Sequence, residues 1–444
     1  MAKQISPEVK GRAMEMELQN PFRRGRLLPL REARQIAKVH PQLLVSRVSD
    51  YNSPRDGFPE EYPGKRPAAS YMYLKRPGEE PMVHIMAFEG NDPYSARILL
   101  DGRFVKVSKI LREMGAEPMQ EHFLLIGYGS NPCPGQVRAK IDQGRQLGVE
   151  GIKDVMLVFR GLVHGYVPVT ESFFEAGYPY AGILRDSRTI NAKAEVWGTL
   201  LTPPMLKAIN ISEKVVDPKD PTKSDKDAQY AVADGYPFQP DGLTKAMVPP
   251  RLLGNELEFE PDSMDGYDPL LVNTAGYTGI ANIYTPTITL PSREEYTGPV
   301  AFDTIPTIDC PFPVTNVPSV FGMVLANMAR EDSRFELDRL LQERGIGVAE
   351  IVRLTHKSIA SGVEAGDEVK ALALMRWMNA RWKIIENRER PYTDMGLTSA
   401  IRAHMGQGKN SLSRDMVAEK LKDGTVFSRE EADLPQRVRF GNIL

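Results

Sequence analysis

The sequence predicts an α+β protein with a β-rich N-terminal region, a mixed or antiparallel β core and a helical C-terminal region. Three observations carry this. Short β-type runs separated by turn residues occupy roughly residues 70–107. An apolar run, Phe123-Leu-Leu-Ile126, enters the small-residue turn Gly127-Tyr-Gly-Ser-Asn131, and Pro134 then opens a helical pattern. After the proline-rich stretch 291–318, apolar residues recur at helical spacing.

Residues 1–68 carry many breakers and charges, including Phe22-Arg-Arg-Gly-Arg26 and Ser53-Pro-Arg-Asp-Gly57. They read as an extended arm with one helix over Leu30 to Val39. The segment 69–118 reads as a β-hairpin region with a helix. Its strands are Tyr71–Leu74 and Val83–Phe88, and Asp101-Gly102 joins two β runs in the manner of a type I′ hairpin turn. Ile110, Leu111 and Met114 form the stripe of a helix that Gly115 stops.

The central segment, 119–317, starts with the strand, turn and helix at 123–147, in which Val137, Ile141 and Leu147 are the apolar helical positions. Such a turn gathers backbone N–H groups near the positive end of a helix dipole, where a carboxylate or phosphate is favoured. Strands are expected at Val155–Phe159 and Glu195–Leu201, with a Gly- and Tyr-rich connection containing Tyr178-Pro-Tyr-Ala-Gly182 between them. A short helix is expected over Pro204–Ile209, then a surface insertion over 214–270, rich in Asp, Pro, Gly and Lys. β pattern resumes over Gly279–Leu290. The last segment, 318–444, reads as helical: Ser333-Arg-Phe-Glu336 is a capping box, and Leu374, Met378, Trp382 and Ile385 share one helix face.

Composition narrows the function classes. The chain has 444 residues, 56 Lys+Arg against 58 Asp+Glu and a net charge of -2, so no global field draws it to nucleic acid or to a membrane surface. Two cysteines, Cys133 and Cys310, exclude a disulfide framework and fit a reducing, cytoplasmic setting. No signal peptide and no membrane-length apolar run is present. The six histidines are scattered without an i, i+4 pair, so no metal is expected. Cys133 beside a helix start has no histidine close in sequence and reads as a packed thiol. Arg376-Trp377 and Arg381-Trp382-Lys383 interleave bases and aromatics, but Trp382 falls on the apolar stripe, which points to packing rather than nucleic-acid binding.

Two familiar motifs fail. Gly127-Tyr-Gly-Ser-Asn-Pro132 has proline where a dinucleotide fingerprint needs its third glycine, and Gly406-Gln-Gly-Lys-Asn410 lacks the Ser/Thr and first glycine of a phosphate loop. Tyr128-Gly129-Ser130-Asn131 after a short strand instead resembles the motif of the γ-glutamylcyclotransferase-like family. The downstream order agrees, with Tyr178–Gly182, the strand Val196-Trp197-Gly198, and Leu206-Lys-Ala-Ile-Asn-Ile-Ser-Glu213. The resemblance covers about residues 120–215.

It implies a cyclotransferase-like core that cleaves a γ-glutamyl amide by cyclisation to 5-oxoproline, without a cofactor. It also implies that Gly129, Ser130 and Asn131 hold the substrate, Tyr128 forms a pocket wall and Glu213 is the general base, with Glu195 as a rival carboxylate. Pro132 and Pro134 remove two amide donors from this loop. A second class of function fits the arm and the irregular insertions: a non-catalytic structural subunit of a large assembly, a virus or phage particle, ordered by neighbours through residues 1–68. The partners are accordingly a small γ-glutamyl substrate, or copies and neighbours in an oligomer or virion.

Overall fold

The computed structural model describes residues 27–90, 92–119, 122–174, 176–184, 188–212, 230–234, 238–240, 275–279, 283–289, 294–331, 374–376, 378–379, 401 and 404–405. Glu213 lies outside these residues, as do residues 1–26 and most of 214–270 and 332–444. The helical reading of 318–444 therefore rests on Val317–Glu331 and on the helical residues 374–376, 378–379, 401 and 404–405.

In chain order the elements are α1 (Leu30–Val39), β1 (Val45–Arg47), β2 (Tyr71–Leu74), β3 (Met82–Ile85), β4 (Arg97–Leu100), β5 (Arg103–Lys106), α2 (Val107–Glu113), β6 (Phe123–Gly127) and α3 (Pro134–Gln146). There follow β7 (Val155–His164), β8 (Val167–Phe174), β9 (Tyr178–Leu184), β10 (Lys193–Leu201), α4 (Pro203–Ser212), β11 (Tyr230–Asp234), β12 (Phe238–Pro240) and β13 (Ala275–Gly279). The last are β14 (Thr287–Thr289), β15 (Glu295–Thr297), β16 (Ala301–Phe302), β17 (Thr307–Ile308), β18 (Val314–Thr315) and α5 (Val317–Glu331). The protein is α+β.

The main sheet runs β1-β3-β2-β7-β10-β6-β13-β11, with β12 on β7 and β17 on β10. Its pairings are antiparallel except β13 on β6. Both faces are covered, because odd and even positions enter different clusters. Tyr71, Tyr73, Leu125, Met156, Val158 and Trp197 pack under α1, α3 and α4. Met72, Leu74, Leu124, Ile126, Leu157 and Phe159 face the β8–β9 hairpin and α5. Two buried faces explain why these strands read as continuous apolar runs rather than as alternation.

The β4–β5 hairpin turns as its sequence requires, with Asp101 at φ 49° and Gly102 at φ 75°. Two segments differ from the sequence expectation. The Gly- and Tyr-rich connection over 167–184 is itself a hairpin, β8–β9, paired from Val167 opposite Leu184 to Phe174 opposite Tyr178. Pro168, Pro179 and two glycines, Gly177 and Gly182, mask its β pattern, yet tertiary pairing supplies the hydrogen bonds that fix it. The insertion 214–270 also contributes β11 and β12, which pair with β13 and β7 rather than looping freely on the surface.

The described part of the arm is laid against the body. After α1 it continues through short 3-10 turns, and Tyr62 reaches the core with 4% of its surface exposed. Of the C-terminal stripe, Leu374 and Met378 are buried, as is neighbouring Met375, while Arg376 pairs outward with Glu60 at 2.5 Å. Trp377, Trp382 and Ile385 are outside the described residues. No helix among the described residues is long and apolar enough to cross a membrane.

Candidate functional site

A cavity of about 90 Å³ opens where β6 ends, and three parts of the fold meet there. The first is the loop after β6: Tyr128, Gly129, Ser130 and Asn131 all line the cavity. The second is one face of α3. Gln136, Lys140 and Gln143, at spacings of four and three, turn toward the cavity, while Val137 and Ile141 pack on the sheet. The third is aromatic: Phe174, Tyr178 and Tyr180 from the β8–β9 hairpin, with Tyr62 from the arm. Tyr62 stacks on Tyr178 with ring centroids 5.5 Å apart, and Phe174 stacks on Tyr178 at 5.4 Å.

Loop conformation is set from behind. Arg66 Nη2 donates to the carbonyls of Tyr128 (3.1 Å) and Gly129 (2.7 Å), and the Tyr71 hydroxyl donates to the Pro132 carbonyl. Arg66 Nε and Nη1 are shielded from solvent and have no hydrogen-bond partner among the described residues. Burial pulls the Arg66 guanidinium down, and the nearby Glu195 carboxylate opposes that. Glu195, the rival carboxylate, thus sits behind the loop, on the Arg66 side. Among the described residues no acceptor takes the N–H of Gly129, Ser130 or Asn131. With the Tyr128 and Gly129 carbonyls held on the Arg66 side, these amides remain open to a ligand oxygen.

The start of α3 plays a smaller part than the sequence led us to expect. A Cβ on Gly135 would meet the Tyr51 carbonyl oxygen at 2.3 Å and the Ser53 nitrogen at 3.1 Å, so residues 51–53 cover the first turn. Gly135 is required by that close approach. Cys133 caps the helix, is fully buried, and places Sγ 3.5 Å from the Asn52 carbonyl. Burial pushes its thiol up, which disfavours the thiolate a nucleophile needs. The positive charge of the site comes instead from side chains. Lys140 is 4% exposed, and Arg55 sits with its guanidinium 4.6 Å above the Phe174 ring. No carboxylate of the described residues lines the cavity.

The geometry therefore offers amide donors and two cations to an anionic group, and an aromatic wall to an aliphatic chain. Tyr62, Lys140 and the aromatic pair Tyr178 and Tyr180 were not singled out from sequence as site residues. The polar repeat at 136, 140 and 143 and the alternation at 178 and 180 were the available signals. Tyr62 had none, because it reaches the site from more than sixty positions upstream.

One buried carboxyl stands just behind this wall. Glu171, on β8, is 0% exposed, and neither of its oxygens has a hydrogen-bond partner among the described residues. Burial pushes its carboxyl up to about 8. A Cβ on Gly182 would lie 2.3 Å from Glu171 Oε2 and 2.8 Å from Ile283 Cδ1. Gly182→Ala is accordingly expected to lower stability by ~1–3 kcal/mol in denaturant unfolding, the usual cost of overpacking.

Among the described residues no group of three or more His, Cys, Asp or Glu side chains is placed to hold a metal ion. No family model, no curated protein and no solved structure matches the chain.

Proposed function

We propose that the cavity binds a γ-glutamyl group, and that the chain is a γ-glutamylcyclotransferase-like protein releasing 5-oxoproline. One observation carries this reading. The Tyr128–Asn131 loop, with amides open to a ligand, lines a cavity that also receives Lys140 and Arg55. Support comes from register: Trp197 of the Val-Trp-Gly strand lies directly opposite Gly127 at the head of the loop, so the two stretches that carry the resemblance are neighbours.

In this reading the substrate α-carboxylate faces the cations, and its aliphatic chain lies on Tyr178 and Tyr180. The γ-carbonyl oxygen accepts from the Gly129–Asn131 amides, which also stabilise the oxyanion as the α-amine attacks. The γ-carbon bonds to that nitrogen, the amide C–N bond breaks, and the proton lost by the attacking nitrogen reaches the leaving amine. The resemblance gives the proton transfer to Glu213, and the core is read as cyclotransferase-like. The protein acts in the cytoplasm on a small γ-glutamyl compound.

Incubating the protein with a panel of γ-glutamyl amino acids, amines and peptides tests this by 5-oxoproline release. Product is expected from at least one compound, and Glu213→Gln is expected to abolish it. No product from any compound would overturn the proposal in favour of a structural subunit of a large assembly. Product unaffected by Glu213→Gln would remove that residue as the base.

A further inference from the structure

Strand β8 carries one residue more than its partner can match. Thr170 lies opposite Ala181 and Ser172 opposite Tyr180, which leaves Glu171 as the extra residue of a bulge. Bulges re-aim a side chain and recur beside active sites. Here the side chain turns onto β9 at Gly182, where the absent Cβ leaves room for its carboxyl. Gly182 follows Tyr180 by two residues, and Tyr178 precedes it by four, so all three positions share one face of the strand. Tyr178 and Tyr180 line the cavity on that face. Glu171 is therefore the next group inward behind the aromatic wall.

A fully buried carboxyl without a hydrogen-bond partner is costly, and native proteins normally satisfy such groups. Folding alone does not account for Glu171, since neither oxygen is bonded among the described residues. Tyr62 forms the partition between it and the loop. The Tyr62 hydroxyl accepts the Ala181 N–H at 3.0 Å and lies 3.0 Å from the Cβ position of Gly129.

We propose that Glu171 receives the ammonium group of the ligand at the inner end of the cavity, with Tyr62 swinging off Ala181 to admit it. The identity of the ligand rests on the γ-glutamyl reading above; the cation site rests on the bulge, the glycine gap and the unpartnered carboxyl. This completes a zwitterion site: Lys140 and Arg55 at the outer end take a carboxylate, and Glu171 takes the cation. Glu171 acts here in recognition, apart from the base role assigned to Glu213.

Among the described residues, the Tyr62 hydroxyl is close enough to feel the charge of Glu171, while Ile283, packed beside it at Gly182, brings none. Burial alone raises its carboxyl, so the empty site holds it protonated at neutral pH. An arriving ammonium favours the ionised form, and the proton is released to solvent.

Calorimetry with L-glutamate and with its des-amino counterpart glutarate tests the inference without turnover. The wild-type protein is expected to bind glutamate at least tenfold more tightly than glutarate. Glutamate binding near pH 7 is expected to release up to one proton, seen as a dependence of the heat on the ionisation enthalpy of the buffer; glutarate is expected to release none. Glu171→Gln is expected to erase the tenfold preference. Glutamate binding without proton release, or a preference unchanged in Glu171→Gln, would overturn the inference, and the proton count needs no variant to fold. Discrimination without 5-oxoproline from any compound would retain this site and remove the cyclotransferase reading. Product formation by a protein that does not discriminate the two probes would do the reverse.

Discussion

Unfolding free energy is expected to fall by roughly 5 kcal/mol between about pH 4 and about pH 9 on account of Glu171, and Glu171→Gln is expected to flatten that slope. The carboxyl titrates near its ordinary 4.5 when unfolded and at about 8 in the buried site. At ~1.4 kcal/mol per pH unit, that interval sets the size of the effect. The direction follows from which state holds the proton. Below pH 4.5 both states are protonated and the full stability is present. Above it the unfolded chain ionises while the folded one does not, so stability declines until the folded carboxyl also ionises near pH 8. Denaturant unfolding of both proteins at a series of pH values measures the difference directly, because other titrating groups are common to the two. Parallel profiles would show that Glu171 does not carry a raised affinity for its proton.

Arg66→Met is expected to loosen the Tyr128–Asn131 loop more than any substitution within it. The change removes the hydrogen bonds at 3.1 and 2.7 Å that hold two consecutive carbonyls. Charge-assisted bonds contribute ~1.5–3 kcal/mol each, and relief from desolvating the guanidinium offsets part of this. A net loss of about 2 kcal/mol is expected, together with faster amide exchange at Gly129, Ser130 and Asn131. Affinity for an anionic ligand is expected to fall by at least tenfold, since the amides are no longer held toward the cavity. Arg66→Lys, with one compact ammonium in place of a fork, is expected to recover only part of the loss. Exchange rates unchanged in Arg66→Met would show that the loop holds its own conformation.

Much of the local architecture was legible from residue order. Leu30–Val39 is the helix expected there, Tyr71–Leu74 is the strand, and Asp101-Gly102 makes the turn. These elements announce themselves through short-range chemistry: apolar period, proline at a helix start, positive φ at a glycine. The β8–β9 hairpin did not, because Pro168, Pro179 and the glycines break its pattern and its strand character depends on pairing with a partner. The same limitation hid the aromatic wall, which consists of residues from that hairpin and from the arm.

The sequence by itself determined the α+β class, the position of the Tyr128–Asn131 loop after β6, and the inert surroundings of Cys133 that its lack of a histidine neighbour implied. Only the tertiary structure decided what faces the loop. It covered the start of α3 with residues 51–53, put Arg66 behind the carbonyls, brought Tyr62 and Lys140 to the cavity, and buried Glu171 against Gly182. The physical reason is that charge and proton affinity depend on burial and on neighbours distant in the chain. A glutamate inside a Thr-Glu-Ser stretch looks like any surface carboxylate until a bulge turns it inward.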